Sequence, residues 1–270
     1  MKVRLLVVFA FAVFCAASLR SSAQTGQIDG IGHIAYRASD IDKEVAFLGK
    51  LGFEEAFAST LPSNGLEAFV KVNDRQFIEV FSRTDPAQPL GWMHVSYEAG
   101  DLNALQKFYA SDGLAPTAVR KASAGNLLST LKDPAGQVTE FIQYMPGSRH
   151  ALDRGQHLGP GRISDAIIGF VLPVPDVTAM KDFYVKLGFE AEDAGDTVRF
   201  TAPGAPGLRV EIRKAVGGSQ PQILLPVPDA RKAADQLRHL GVDAVRQDKI
   251  VFVRDGDGNS FILLETGSRH

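Results

Sequence analysis

Apolar and polar residues along the chain repeat one succession of patterns four times. Short apolar runs predict strands at residues 31–36, 93–97, 167–172 and 223–225. Each run precedes a stretch with apolar residues at helical spacing, as at Ile41, Val45 and Leu48, which predicts a helix over residues 40–51. Further apolar runs broken at turn residues, such as Asn73-Asp74 and Pro203-Gly204, follow each helix. The chain therefore reads as four βαβββ units.

Helix ends are marked in the same way in all four units. An aspartate suited to the N-cap stands a fixed distance before a glycine suited to the left-handed position that ends a helix. The four pairs are Asp40 and Gly52, Asp101 and Gly113, Asp176 and Gly188, and Asp229 and Gly241. Such regular punctuation indicates an internal duplication rather than four unrelated helices.

Connectors rich in Pro and Gly divide the chain into larger parts. The longest connector, residues 146–165, is the predicted domain linker. It separates a first domain at 27–145 from a second at 166–270, each built from two units. The sequence Gly-Ser-Arg-His closes both halves, at 147–150 and 267–270, and we interpret it as a shared exit turn.

The N-terminus predicts a secretory signal peptide over residues 1–23. Lys2 and Arg4 precede an apolar run at 5–19, and small residues follow up to a cleavage point after Ala23. A retained N-terminal anchor is the alternative. Cleavage would remove Cys15, the only cysteine, so the mature chain would have neither disulfides nor thiolate ligands. We therefore expect a periplasmic or secreted protein without a membrane span in its mature part.

Composition excludes some classes of partner. The 270 residues are 45% hydrophobic and 22% charged, which is typical of a globular protein. The net charge of −2 gives no basic surface for nucleic acid. We expect a small-molecule substrate, and a monomer or homodimer, because two units can close one domain within a single chain.

Two histidines and two glutamates occupy matching places in the first two units. His33 stands 46 positions before Glu79, and His94 stands 46 before Glu140. Two imidazoles and two carboxylates are a ligand set for a borderline-hard divalent ion. In the second half the matching positions hold other residues, so we predict no metal there; they are Gly169, Glu211, Gln222 and Ile262.

These features resemble the vicinal oxygen chelate superfamily, which includes glyoxalase I, fosfomycin-resistance proteins and extradiol dioxygenases. Residues 133–140 (Asp-Pro-Ala-Gly-Gln-Val-Thr-Glu) look like its signature near the last ligand. The resemblance implies an α+β fold in which paired βαβββ units form curled mixed sheets with helices on the outer face. It also implies one ion (Zn, Ni, Mn or Fe) held by His33, Glu79, His94 and Glu140. Of the glutamates, we favour Glu140 over Glu79 as the catalytic proton carrier.

Three functions are compatible with this site. The first is a metal-dependent lyase or isomerase resembling glyoxalase I, acting on a small substrate with adjacent oxygens. The second is an extradiol-type Fe(II) dioxygenase that uses His33, His94 and Glu140 while Glu79 stays off the metal. The third is a binding protein without turnover.

Substrate contacts are also predicted in the first half. Arg37 and Arg75 are candidates for holding an anionic substrate, because guanidinium groups bind carboxylates and phosphates in a bidentate manner. Phe77, Phe81 and Trp92 are candidates for pocket walls.

Overall fold

The first half of the chain forms one mixed eight-stranded sheet. The computed structural model describes residues 27–266. The elements of this half are β1 (Ile28–Ala38), α1 (Ile41–Lys50), β2 (Glu54–Thr60), β3 (Leu66–Asn73), β4 (Gln76–Ser82), β5 (Gly91–Ala99), α2 (Leu102–Ser111), β6 (Arg120–Lys121), β7 (Leu127–Lys132) and β8 (Val138–Gln143). The strand order is β2-β3-β4-β1-β5-β8-β7-β6, with β1–β4 and β5–β8 paired in parallel.

The second half repeats this topology in a separate sheet. After α3 (Arg149–Leu152) come β9 (Gly169–Val174), α4 (Val177–Lys186), β10 (Glu190–Ala194), β11 (Thr197–Ala202), β12 (Ala205–Lys214), β13 (Gln222–Val227), α5 (Ala230–His239), β14 (Ala244–Gln247), β15 (Ile250–Arg254) and β16 (Ser260–Glu265). The order β10-β11-β12-β9-β13-β16-β15-β14 matches the first sheet strand for strand. The predicted α+β class with four βαβββ units is confirmed, whereas the exact domain limits stay a prediction.

The helix ends form as the sequence predicts. Each of the four aspartates accepts a hydrogen bond from the backbone N–H three residues later, as Asp40 does from Lys43 at 3.2 Å. The residue that follows each helix C-cap is a glycine with positive φ; at Gly52 the angle is 82°. Only glycine adopts this conformation without a steric penalty, so these positions stop the helices where they do.

The central strands place the apolar core on one face of the first sheet and the candidate site residues on the other. Ile34 and Tyr36 of β1, with Val95 and Tyr97 of β5, are buried in the main apolar core, which extends into both halves. Because side chains alternate along a strand, His33 points to the opposite face of the sheet. Helices therefore cover one face, and the other face is left for the histidines and glutamates.

The two halves are joined by polar contacts as well as apolar packing. The backbone N–H and the hydroxyl of Ser39 both donate to the Asp257 carboxylate at 2.6 Å. The hydroxyls of Tyr97 and Tyr184 are 3.3 Å apart. The Trp92 ring packs on Phe170 with centroids 5.3 Å apart. The side of the first sheet away from the site is therefore the side that meets the second half.

The segment between the sheets is tied back to the first one. Lys71 of β3 is fully buried, and its Nζ donates to the Asp153 carboxylate at 2.7 Å and to the Asp153 carbonyl at 2.6 Å. Asp153 follows α3 directly, so this contact fixes the start of the connection to the second half.

The predicted signal peptide and Cys15 lie outside the described residues, as does the second Gly-Ser-Arg-His sequence at 267–270. Among residues 27–266, the helices are all too short or too polar to cross a membrane.

Candidate metal centre

Three neighbouring strands bring His33, His94 and Glu140 to one point. His33 lies on β1, His94 on β5 and Glu140 on β8, and these strands are adjacent in the sheet. Ser96 pairs with His33 on one side and with Glu140 on the other, so the register sets the three side chains around it. Residues far apart in the sequence therefore share one face of the sheet.

The distances between the three side chains fit a common ion. Nε2 of His33 is 3.2 Å from Nε2 of His94 and 3.1 Å from Oε1 of Glu140. Nε2 of His94 is 3.8 Å from Oε2 of Glu140, and one donor atom from each residue lies within 4.8 Å of the others. Ligands about 2.1 Å from an ion and at right angles around it would be about 3.0 Å apart. The three donors thus suit one face of a coordination shell.

Glu79 lies beside this group but on its far side. Its Oε1 is 3.2 Å from Nδ1 of His33, the ring nitrogen opposite the one that faces His94 and Glu140. The contact is not aligned as a hydrogen bond. Of the four predicted ligands, three therefore converge through their donor atoms, and Glu79 stands behind His33. A carboxylate in that place orients the imidazole of a metal-binding histidine.

Two of the three donors, His94 and Glu140, are held in forms that bind metal. Burial, with the nearby His33, lowers the pKa of His94 to about 4 against the opposing effect of Glu140, which leaves the imidazole neutral. Burial alone would raise the pKa of Glu140, but the charge and hydrogen bond of His33, helped by His94 and Ser96, lower it below its usual value. A neutral imidazole and an ionised carboxylate are the forms that bind metal.

A third buried carboxyl, Glu67 of β3, extends the acidic group. Burial and the charges of Glu67 and Glu140 raise the pKa of Glu79 well above its usual value. Burial also raises the pKa of Glu67, against the opposing charge of His33. Removing three carboxyls from water is costly unless they are protonated or a cation compensates them. The donor set therefore fits a divalent ion.

These residues lie in a cavity of about 360 Å³. Its apolar walls are Phe69, Phe81, Leu128 and Ile142, and Arg120 and Ser123 also line it. The volume suits a small organic molecule. Phe81, a candidate wall from the sequence, does line it.

The other predicted substrate contacts lie elsewhere. Arg37 donates to the Pro89 carbonyl at 2.9 Å, and Arg75 is paired with Glu98 at 2.7 Å; neither lines the cavity. Trp92 packs between the two halves, because its strand position faces Phe170. Phe77 is fully buried behind the cavity, where its ring contacts His150 at 4.6 Å between centroids. These four residues therefore do not line the cavity that contains the three donors.

Among the cavity residues that the sequence did not predict are two buried titratable side chains, Glu67 and His150. Glu67 has no counterpart with a carboxylate in the second half, where the same register position holds Thr197. His150 belongs to the Gly-Ser-Arg-His sequence that we interpreted as an exit turn, and it lines the cavity. Its recurrence was the available signal, but the recurrence did not show which way the segment folds.

The second sheet has no comparable site among the residues that the structure describes. Gly169, which matches His33, has the Arg209 carbonyl where a Cβ would stand, so no side chain fits there. Val171, Leu224 and Ile262 form an apolar cluster on the corresponding face. Among the described residues, the candidate metal donors therefore lie in the first half.

A known family model matches the second half of the chain. Residues 166–263 match the model of the Glyoxalase/Bleomycin resistance protein/Dioxygenase superfamily, and the first sheet repeats the topology of the matched half. The second half of the chain therefore carries a domain of this superfamily. Most members of the superfamily are metal-dependent enzymes, which agrees with the donors found in the first half. A search of the curated proteins found no match.

Solved structures show the same two-sheet fold. The 2,3-dioxygenase LapB from Pseudomonas sp. KL28 is 14% identical, with a TM-score of 0.68 and coverage of 90% of this chain and 94% of that one. The Mn(II)-bound glyoxalase from Novosphingobium aromaticivorans is 18% identical, with a TM-score of 0.66 and coverage of 88% and 82%. A catechol 2,3-dioxygenase is 13% identical, with a TM-score of 0.67 and coverage of 88% of both chains. At such identities the likeness concerns the fold, which hosts several chemistries in this superfamily.

Proposed function

We propose that the protein is a metal-dependent enzyme that acts on a small substrate with two adjacent oxygen atoms. The observation that carries this proposal is the convergence of His33, His94 and Glu140 in the wall of a cavity of substrate size. A divalent ion held there would supply Lewis-acid chemistry to substrate oxygens. Phe69 and Phe81 would hold the apolar part of the substrate and exclude water, and Glu79 would orient His33.

A lyase or isomerase reaction of the glyoxalase kind is supported by the fourth predicted ligand, Glu79. Glu79 lines the same cavity as the three donors and lies 3.2 Å from His33. A rotation of its side chain would complete the set of four ligands that the resemblance to glyoxalase I implies.

An extradiol-type dioxygenase reaction is supported by the three-donor count. Two histidines and one carboxylate on one face of an ion leave positions for a substrate and for dioxygen, as in non-haem Fe(II) oxygenases. In the structure Glu79 faces the other nitrogen of His33, so the three donors that would hold the ion are His33, His94 and Glu140.

Elemental analysis of the purified protein tests the metal centre. We expect one divalent ion per chain in the wild type, loss of that ion in His94→Ala, and retention in His239→Ala, which changes an exposed histidine on α5. Absence of metal from the wild type after reconstitution with Fe(II), Mn(II), Ni(II) and Zn(II) would reject the proposal. Tight ligand binding by metal-stripped protein would then favour a binding protein.

Oxygen dependence separates the two reactions. A dioxygenase would consume one dioxygen per catechol in the Fe(II)-loaded protein and would show no turnover under nitrogen. A lyase or isomerase would convert a hemithioacetal of methylglyoxal equally well under air and under nitrogen. The reaction that His94→Ala abolishes and His239→Ala preserves is the one to assign to this site.

We also propose an extracytoplasmic location, supported by the sequence of residues 1–23. Mass spectrometry of the protein from its native host should give a chain that begins at Gln24. A chain that retains residues 1–23 would contradict cleavage.

A further inference from the structure

His150 is held at the cavity by the segment that follows β8. Ser148 caps α3 by accepting from the Ala151 N–H at 3.2 Å, and the Arg149 N–H donates to the Ala124 carbonyl at 2.9 Å. The Arg149 guanidinium also donates to the Ala58 carbonyl at 2.8 Å and stacks over Phe57. Strand β2 and the β6–β7 turn therefore both fix the position of this histidine.

The hydrogen bonds around Asn126 define the tautomer of His150. Oδ1 of Asn126 accepts from the Met145 N–H at 3.0 Å, which identifies the oxygen of that amide. Nδ2 of Asn126 therefore faces Nδ1 of His150, at 2.9 Å, and donates to it. An imidazole whose Nδ1 accepts carries its proton on Nε2.

The Nε2–H of His150 is a buried donor without a hydrogen-bond acceptor among the described residues. His150 is only 2% exposed, and the rings of Phe57, Phe69 and Phe77 pack at nearly right angles to it. Burial, together with the charges of His33, Arg149 and Lys71, lowers the pKa of His150 to about 3, so the ring is neutral near pH 7. A buried donor without an acceptor is unfavourable, and such groups are rare in proteins.

We propose that His150 positions the substrate by donating a hydrogen bond from Nε2–H to an oxygen of the molecule that occupies the cavity. His150 lines the same cavity as His33, Glu140 and the phenyl groups of Phe69 and Phe81. This inference rests on the proposed function, because it assigns the ligand to that site. It narrows the substrate to a small molecule that joins an apolar or aromatic body to an acceptor oxygen.

The neutral state of His150 also limits which ligand groups this residue can bind. A neutral Nε2–H donor accepts no hydrogen bond, so His150 itself offers no acceptor to an ammonium group. The competing explanation is structural: the Nε2–H points at a neighbouring ring face, an interaction weaker than a normal hydrogen bond. Phe57, Phe69 and Phe77 are the rings that would accept it.

Two substitutions separate these explanations. His150→Gln keeps a donor near the place of Nε2 and an acceptor for Asn126, whereas His150→Phe keeps an aromatic ring without a donor. The probe is catechol, whose affinity is measured by calorimetry on anaerobic protein loaded with Mn(II). We expect His150→Phe to weaken binding about 3- to 10-fold and His150→Gln to stay within about 3-fold of the wild type. Equal affinity of His150→Phe and the wild type would overturn the proposal.

Metal content and NMR keep this result separate from the proposed function. All three proteins should hold one ion per chain, because His150 is not among the three donors. In a ¹⁵N-labelled, Zn(II)-loaded sample, the Nε2–H proton of His150 should shift downfield when catechol saturates the site. An unmoved resonance would overturn the role of His150. A wild type without metal contradicts the proposed function alone, and the same titration of metal-free protein then decides the role of His150.

Discussion

Ser96 of β5 lies between His33 of β1 and Glu140 of β8, beside the candidate metal site. Ser96 is fully buried and pairs with His33 on β1 and with Glu140 on β8. Its hydroxyl helps to lower the pKa of Glu140, although the contact is not aligned as a full hydrogen bond. In the second sheet the same register position holds Leu224, where the ligands are also lost. This contrast indicates that Ser96 serves the site rather than the fold, by orienting the Glu140 carboxylate.

The substitution Ser96→Ala should weaken metal binding about 10- to 100-fold, the usual effect of losing a group that orients a ligand. Competition with a chromophoric chelator measures this affinity. The matched control is Ser129→Ala, which removes another buried hydroxyl, one that donates to the Thr117 carbonyl at 2.8 Å. Equal affinities of the two variants would show that Ser96 does not orient Glu140.

The candidate ligands were predictable from the sequence because duplication places them at equal spacing. His33 and Glu79 repeat as His94 and Glu140, and this spacing can be counted in the sequence without knowledge of the fold. The side on which Glu79 meets His33 was not predictable, since it depends on the pairing of Glu79 with Ala35 across β1 and β4. His150 enters the cavity through a tertiary contact with Asn126, which no local pattern records.

At the level of elements, helices were predicted well because their signals are local. Asp101 caps α2 and Gly113 follows its C-cap, and both act through neighbours within a few residues. Strand lengths were underestimated: β1 extends from Ile28 to Ala38 because β4 and β5 supply partners on both edges. The four-residue α3 has too few residues for a helical period and depends on its Ser148 cap.

Lys71 joins strand β3 to the segment that follows α3. Nζ of this fully buried side chain is 2.7 Å from the Asp153 carboxylate and 2.8 Å from Asp74. Lys71→Met should lower the free energy of unfolding by about 3 to 5 kcal/mol, because the buried Asp153 carboxylate loses its lysine partner and retains the contact with the His157 ring. Urea denaturation measures this change.

Two further variants test the cause of that loss. Adding Asp153→Leu to Lys71→Met should recover part of the stability, since a buried carboxylate is then removed together with its partner. Lys181→Met breaks the solvent-accessible pair with Asp193 and should change the free energy of unfolding by less than about 1 kcal/mol. If the loss of stability in the double variant equals the sum of the losses from Lys71→Met alone and from Asp153→Leu alone, the two side chains act independently.

At the scale of the whole molecule, the turn between β15 and β16 docks on the start of α1. Asp257 in this turn accepts from the Ser39 N–H and hydroxyl, and Asp255 lies near Glu44. Glu44 is itself buried and accepts from the Tyr36 hydroxyl at 2.6 Å. The second half thus packs a pair of carboxylates against a buried glutamate of the first.

This arrangement predicts a pH-dependent stability. Burial raises the pKa of Glu44 to about 8, against the hydrogen bond from Tyr36 and with help from the charges of Asp255 and Asp257. In the unfolded chain its pKa is about 4.5, so folded Glu44 binds a proton that the unfolded chain releases across pH 4.5 to 8. Stability is therefore highest below that window and falls as the pH rises through it, with a slope of at most about 1.4 kcal/mol per pH unit.

Glu44→Gln should remove this slope, because an amide at position 44 keeps the contact with Tyr36 and carries no charge at any pH. Urea denaturation of the full chain at half-unit steps from pH 4.5 to 8.5 measures it, and the variant should be the more stable protein at the alkaline end. Glu192→Gln, which changes an exposed carboxylate on β10, should leave the wild-type slope unchanged. If the free energy of unfolding changes with pH in the same way in the wild type and in Glu44→Gln, then Glu44 is ionised in the folded protein. The contact between the two halves then holds no additional proton at this position.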